Sequence, residues 1–345
     1  MAPLVLQNLK LLGQFRFGFS MYKAIFAFNH KKLKLSYSPI LGSLEPSNLC
    51  NLNCVMCARD TISGRGSGLM SVETLRNVIN VENRNVIRTV DFTGHGEPLL
   101  NPKLEKFIKI AKPFARKVGL TTNSTLLSKD RAKSLLDAGL DFVSFSFEGV
   151  SKEVYESIRV GANYETVFQN IHDFVALNKK LNSGCKTFLI IVDSPLTHSS
   201  LPKFVDYWAG IVDEVRIMGI HDWGGVLDSS LVEKSYSHRK LPCFEPWYHI
   251  YVRWNGDVVP CCVWEGKTKF GNVNEEPMPK IWNNSIYQKF RASLLSSPTD
   301  HCRSCNLDML GDVFSEAVTV PHASFPFHKS TVSLAKRFIT YRSRL

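Results

Sequence analysis

The chain has 345 residues, 44% hydrophobic and 21% charged, with a formal net charge of +11. That composition excludes disordered and collagen-like chains, and the length is ample for a real core without covalent staples. The charge invites an acidic partner, but residues 1–34 carry +6, residues 316–345 carry +4, and the body between them only +1. A nucleic-acid groove would put the charge on the body, so no nucleic-acid partner is expected.

The nine cysteines are Cys50, Cys54, Cys57, Cys185, Cys243, Cys261, Cys262, Cys302 and Cys305. An odd number in tight clusters argues against a disulfide framework and for thiolate ligands in a reducing, cytoplasmic compartment. Lys10 and Arg16 interrupt the apolar start with no small-residue cleavage site after them, unlike a secretory signal. Uncharged stretches there reach about nine residues, against the ~20 a spanning helix needs.

In chain order, a basic segment over 1–38 comes first. Leu12, Phe15, Phe19, Tyr22 and Phe26 fall at helical spacing, which fits a helix packed on the body or an interfacial membrane helix. A core over 39–225 follows. Its predicted strands are Ile40–Pro46, Thr89–Thr93, Val118–Thr122, Phe142–Phe147, Lys186–Val192 and Glu214–Met218. Its predicted helices are Ser71–Asn83, with Ser71 as N-cap, Pro102–Lys112, Ser128–Ala138, 151–159, 164–180 and 200–209. Six alternating units imply an α/β fold with parallel strands and right-handed crossovers. An incomplete (β/α)6 barrel or a doubly wound sheet satisfies the pattern, with function at the carboxyl ends of the strands in both. Residues 224–240 read as a linker. A small α+β domain over 240–315 opens with a hairpin turning at Asn255-Gly256, and a basic tail fills 316–345.

Cys50-x3-Cys54-x2-Cys57 directly follows the first strand. Three thiolates on one loop can each bind a different iron of a cubane, which usually takes four Cys. The missing fourth ligand leaves an open position of the kind that signals chemistry. A zinc finger would prefer paired Cys-x2-Cys units.

This loop resembles the signature of the radical S-adenosylmethionine (radical SAM) superfamily, where it follows strand one of a partial (β/α)6 barrel. Companion segments agree. Gly94-His95-Gly96-Glu97-Pro98 resembles the family's Gly-Gly-Glu-Pro segment, which contacts the methionine amino group. Thr122-Asn123-Ser124 resembles its ribose-contacting turn, and Ser146-Phe147-Glu148-Gly149 its Ser-x-Asp-Gly motif. Tyr155, Arg159 and Gly161 match a Tyr-x3-Arg-x-Gly run whose Arg pairs with the methionine carboxylate. The resemblance spans about residues 40–223. It departs at His95, which replaces a Gly, at Glu148, which replaces an Asp, and at Met56, where an aromatic residue is frequent. It implies cofactor-binding roles for Gly96, Glu97, Asn123, Ser146, Glu148 and Arg159, and a [4Fe–4S] cluster on Cys50, Cys54 and Cys57 whose free iron is chelated by S-adenosylmethionine. It also implies reductive cleavage to a 5′-deoxyadenosyl radical that abstracts a substrate hydrogen atom, and a reducing donor such as flavodoxin or ferredoxin.

Cys243, twelve residues, Gly256, four residues, Cys261, and a later Cys302-x2-Cys305 can close a second site. Four thiolates suit zinc or an iron–sulfur cluster. The spacing resembles the start of the SPASM domain and, more closely, its shortened twitch form, which implies one auxiliary [4Fe–4S] cluster. Cys261 keeps the four-residue spacing from Gly256, though Cys262 adjoins it; Cys185 reads as a core residue. The resemblance points to a radical SAM oxidoreductase in which the auxiliary cluster accepts an electron from the substrate. It favours a small polar or sugar-like substrate over a peptide, because residues 1–38 are short for a leader-recognition domain. A peptide maturase or a non-enzymatic metal scaffold are the alternatives. His221 and Asp222, after the sixth strand, are the candidate acid–base pair, with His249 and Arg253 weaker candidates. The two basic, aromatic tails are suited to peripheral contact with the inner face of a membrane.

Overall fold

The computed structural model describes residues 19–59, 66–79, 87–223, 227, 242–264 and 268–305. Residues 19–29 form helix α1. The strands are β1 (Leu41–Leu44), β2 (Thr89–Phe92), β3 (Lys117–Thr122), β4 (Phe142–Ser146), β5 (Lys186–Asp193), β6 (Glu214–Gly219), β7 (His249–Val252), β8 (Asp257–Val259) and β9 (Gly271–Asn272). Between them lie α2 (Val72–Val78), α3 (Leu104–Ala111), α4 (Lys129–Asp137), α5 (Lys152–Ile158), α6 (Tyr164–Leu181) and α7 (Leu201–Trp208). After β9 come α8 (Met278–Trp282), α9 (Ser285–Ser296) and α10 (Asp300–Ser304).

One sheet runs β6-β5-β4-β3-β2-β1-β7-β8-β9. The first six strands are parallel and β6 is an edge, which makes the incomplete barrel expected from the alternation. The helices start where polar caps permit. Ser71, Ser128, Ser151 and Asn163 each accept the backbone N–H three residues on, supplying one of the acceptors a helix start lacks.

Strand periodicity divides the barrel into two faces. Val90, Phe92, Leu120, Phe145 and Ile191 are buried in the apolar layer under the helices. Phe92 meets Phe107 of α3 at 5.9 Å, and Phe145 meets Phe174 of α6 at 5.4 Å. On the alternate face Ser43 on β1, Asp91 on β2, Thr121 on β3, and Ser144 and Ser146 on β4 are polar, while Phe142, Phe188 and Ile190 are apolar. The polar ones lie in adjacent registers, Ser43 beside Asp91 and Thr121 beside Ser144, and the Thr121 hydroxyl donates to Asp91 at 3.4 Å.

The C-terminal region is joined to the barrel through the sheet itself. β7 pairs in parallel with the free side of β1, Ser43 opposite Tyr251, and β7-β8-β9 continue antiparallel. The expected hairpin turns at Asn255-Gly256, with Gly256 at φ +88°, a backbone state that favours glycine. Residues 80–83 of the predicted helix Ser71–Asn83, the linker over 224–240 apart from Leu227, and the tail over 316–345 lie outside the described residues. So do Leu12 and Phe15. The described part of their stripe does not pack on the body: Phe19, Tyr22 and Phe26 face outward, while Met21, Ala24 and Ala27 supply the buried side of α1. Cys185 is buried in the core, as expected. Among the described residues no helix is long and apolar enough to cross a membrane.

Candidate metal and cofactor site

The first cysteine loop leaves β1 at its carboxyl end and is strapped down by its neighbours. Asn53 N–H donates to Val160 O at 2.9 Å and Val55 N–H to Ile158 O at 3.0 Å, fixing the loop to the end of α5. On the other side Glu97 N–H donates to Leu49 O at 2.8 Å. This approach needs Gly96: a Cβ there would stand 2.3 Å from Leu49 O and 2.4 Å from Ser47 O. Arg59 Nη1 donates to the carbonyls of Cys50 and Leu52 at 3.2 and 3.1 Å, closing the loop from inside.

The companion residues gather on this loop. Glu97 is fully buried and takes hydrogen bonds from the Thr122 hydroxyl (2.7 Å), Asn123 N–H (2.8 Å) and Leu99 N–H (3.0 Å). Burial pushes its carboxyl up, against those three bonds. Glu97 thereby positions the turn after β3, and Asn123 Nδ2 in turn reaches Cys50 Sγ at 3.8 Å. Arg159 grips Glu148 with two prongs, Nε to Oε2 at 2.5 Å and Nη2 to Oε1 at 2.8 Å, and points Nη1 at Cys54 Sγ, 3.7 Å away. Burial alone would lower the Arg159 pKa, but the Glu148 carboxylate outweighs it and holds the guanidinium well above its ordinary value. Ser146 ends β4 on the barrel's inner face.

Burial pushes the Cys54 and Cys57 thiols up, partly offset by Arg159 at Cys54 and by Arg59 N–H at Cys57. Metal-free, these thiols are neutral near pH 7, so ligation must displace protons. Two buried hydroxyls at this site, Ser124 Oγ and Tyr155 OH, have no hydrogen-bond partner among the described residues. A buried polar group without a partner calls for one. Ser124 lies in the turn matched to ribose contact, and Tyr155 adjoins Arg159 and Cys54 electrostatically. The residues present therefore fit three-thiolate cluster ligation with a nucleoside-bearing cofactor alongside.

The second cysteine set also assembles. The Cys261 thiol, raised well above its usual pKa by burial first, feels the charges of Cys262, Cys243, Cys305 and Cys302. Cys262, pushed up to about 12, feels Glu245 and Cys305. Both Cys261 and Cys262 pack against the Val263 and Cys305 pair, so the structure gathers the set without choosing between these two neighbours. No group of three or more His, Cys, Asp or Glu among the described residues suits a single metal ion. Cubane thiolates bind different irons, so the fit to a cluster rests on the four-thiol donor set.

His221 and Asp222 leave the end of β6 beside this region. His221 Nδ1 accepts Trp223 N–H at 3.1 Å, leaving its proton on Nε2. Trp223 itself has φ +53°, a state that costs a non-glycine residue about 1–2 kcal/mol. Its indole N–H donates to Met56 O at 3.0 Å in the first cysteine loop. Its ring packs with Val263 and Cys305 of the second set. His95, where the family has Gly, lies 5.5 Å from the Trp223 ring and 6.2 Å from the Tyr251 ring.

Two buried carboxylates join the halves, and the sequence reading did not single out either. Glu45, just past β1, accepts His95 N–H, Trp254 N–H and the Tyr251 hydroxyl. Glu245 accepts from the Tyr248 hydroxyl and lies 2.6 Å from His249 Nδ1, while His249 Nε2 meets Ser43 Oγ at 2.9 Å. The one available signal was the polar alternation Ser43, Glu45 along a buried strand. Arg253 turns to the second domain, donating to Trp264 O at 2.9 Å.

An open parallel barrel with three cysteines at the end of β1, followed by a domain that gathers four more, is the arrangement the resemblance to radical SAM enzymes implies. Family models agree: the radical SAM superfamily matches residues 44–207 and the SPASM iron–sulfur cluster-binding domain matches residues 243–306. The chain thus carries a radical SAM domain with a SPASM domain C-terminal to it, and this pairing implies a cluster that binds S-adenosylmethionine together with auxiliary iron–sulfur ligation.

Among curated relatives, the chain is 24% identical over 317 residues to the tungsten-containing aldehyde ferredoxin oxidoreductase cofactor-modifying protein of Pyrococcus furiosus, covering 76% of this chain and 86% of that one. It is 32% identical over 159 residues to a probable GTP 3′,8-cyclase of Methanococcus maripaludis, covering 46% of this chain and about half the cyclase's length (51%). Similar folds occur in BtrN in complex with AdoMet and 2-DOIA (19% identity, TM-score 0.55, 79% of this chain and 94% of that). They also occur in Streptococcus suis SuiB bound to precursor peptide SuiA (15%, TM-score 0.63, 83% and 73%).

Proposed function

We propose that this protein is a radical SAM oxidoreductase acting on a small, hydroxyl-rich molecule, and that Cys243, Cys261, Cys302 and Cys305 hold one auxiliary [4Fe–4S] cluster that accepts the substrate's electron. Cys50, Cys54 and Cys57 hold the other cluster. With S-adenosylmethionine bound, it supplies the 5′-deoxyadenosyl radical for hydrogen abstraction. Gly96 lets the Glu97 segment reach the cysteine loop. Glu97 holds Asn123 towards the nucleoside, Ser146 lines the mouth, and Glu148 presents Arg159 to the methionine carboxylate. His221, with Nε2 protonated, and Asp222 are the acid–base candidates at the rim.

The observation that carries the substrate class is the set of polar residues on the inner face of the barrel. Ser43, Asp91, Thr121, Ser144 and Ser146 offer small donors and acceptors on neighbouring strands, suited to bonding several hydroxyls at once. BtrN, whose crystal complex holds 2-DOIA, shares this fold; SuiB, with its precursor peptide, is the counterexample.

The test is anaerobic incubation of the reconstituted, reduced protein with S-adenosylmethionine and either a small-molecule or a peptide fraction. Release of 5′-deoxyadenosine that depends on the small-molecule fraction is expected. Dependence on the peptide fraction alone would overturn the substrate class. No cleavage under any condition would overturn the enzymatic reading in favour of a metal scaffold.

A further inference from the structure

Helix α1 presents its aromatic side to solvent. Phe19, Tyr22 and Phe26 are 52%, 62% and 45% exposed. The Lys23 ammonium sits 4.7 Å over the Phe19 ring, Tyr22 lies 6.4 Å from Phe26, and the His30 ring stacks on Phe26 at 3.9 Å. Lys31, Lys32 and Lys34 follow, all exposed, and no acidic residue precedes Glu45.

This face is held rigidly. Phe28 meets Phe244 and Trp247 edge-on, each at 5.1 Å. The Trp247 indole N–H donates to Lys32 O at 2.9 Å and Arg291 Nη1 to Leu33 O at 2.8 Å. Asn283 bonds both the N–H and the carbonyl of Leu35. The fold thus fixes three half-exposed rings and, directly after them in the chain, a run of exposed lysines.

We propose that this face docks the protein on an anionic lipid bilayer. Aromatic rings beside basic residues suit the headgroup level, where the ring enters the interface and the ammonium meets lipid phosphate. Charge excludes the nearer occupants. A second copy would set like charge against like charge, and the basic tail over 316–345, at +4, has the same sign. The rings stand on a convex helix surface, which a bilayer can accommodate without a matching groove. The proposal concerns where the protein works and is independent of the substrate class above.

The test is sedimentation of the full-length protein with phosphatidylcholine vesicles, with and without phosphatidylglycerol. Binding only to the anionic vesicles is expected. Lys31→Gln, Lys32→Gln and Lys34→Gln should each weaken binding roughly fivefold, and added salt should do the same. The triple variant Phe19→Ser, Tyr22→Ser, Phe26→Ser should lose at least roughly tenfold while keeping the wild-type iron content. Tyr22→Trp, which preserves the face, should bind normally and shift its fluorescence to the blue on adding anionic vesicles. No binding, equal binding to neutral vesicles, or undiminished binding by the lysine or ring variants would overturn the proposal. Displacement from vesicles by an acidic polypeptide with no blue shift of the Tyr22→Trp signal on anionic vesicles would overturn it in favour of a protein partner.

Discussion

Replacing Glu148 by Gln keeps its shape and removes its charge, isolating what the carboxylate does for Arg159. The Glu148 side chain is 0% exposed and that of Arg159 13%, so solvent screens the pair little. In the variant one amide oxygen can still accept from the fork, but the amide nitrogen faces a second N–H donor. The guanidinium is left buried and charged without its carboxylate partner, with Cys54 Sγ 3.7 Å from Nη1. Losing one partner of a buried pair costs about 3–5 kcal/mol, a large part of the ~5–15 kcal/mol of a typical fold. With a urea slope of about 3 kcal/mol/M, the unfolding midpoint of the metal-free protein should fall by about 1–1.7 M. Glu148→Asp, which retains the charge, should lose less than half as much. Because Arg159 is oriented through Glu148, the Gln variant should also bind S-adenosylmethionine more weakly after reconstitution. A Gln variant within ~0.5 kcal/mol of wild type, or an Asp variant as damaged as the Gln variant, would refute the reasoning.

Gly96→Ala should displace the Glu97 segment from the cysteine loop, since its Cβ would meet backbone oxygen at 2.3 Å. The expected outcome is loss of iron from the first site with the second retained, read by iron analysis and electron paramagnetic resonance. Wild-type protein should hold about eight irons per chain; about four would sink the two-cluster assignment and about twelve the single auxiliary cluster. Cys54→Ala should abolish 5′-deoxyadenosine formation, whereas Cys305→Ala should spare uncoupled cleavage and lose product; equal loss in both would count against separate roles. Burial raises the Glu45 pKa above its unfolded value, so folding takes up a proton there. Its contribution is full below about pH 4.5 and is lost as pH rises through the folded-state value. Glu45→Gln should therefore show a smaller fall in urea midpoint between pH 5 and pH 7.5 than wild type, and an identical fall would refute the assignment.

Local pattern made the barrel legible. Its strands sit in short apolar runs, and four of its helices begin at Ser or Asn caps that the structure shows accepting the third N–H. The first cysteine loop was readable because its three ligands lie within eight residues of chain. What stayed hidden depends on distant pairing. The junction of β7 with β1 unites positions about 200 residues apart, as Ser43 opposite Tyr251 shows, and only that junction brings Glu45 to Tyr251 or Ser43 to His249. Helices α8, α9 and α10 and strand β9 are not legible in the local pattern either. For α1, aromatic residues at helical spacing invited a core reading, yet the small residues Ala24 and Ala27 allow the close packing. The exchange of Asp for Glu at 148 looked like a weakened motif, but the longer side chain spans to both prongs of Arg159.

The second cysteine domain follows the linker in sequence, but in space it is an extension of the barrel sheet. Because β7 takes the free side of β1, the register that sets Ser43 beside Asp91 also sets it beside Tyr251, so the two metal sites share one strand as their reference. Trp223 closes the same gap from the other side, bonded to the first loop at Met56 and packed on Cys305 of the second set. Strand pairing and a strained aromatic residue thus hold both cysteine sets to one rigid frame. The hydrogen abstraction and electron acceptance proposed above would draw on such a frame, because a diffusing second domain would leave a substrate radical exposed to side reactions.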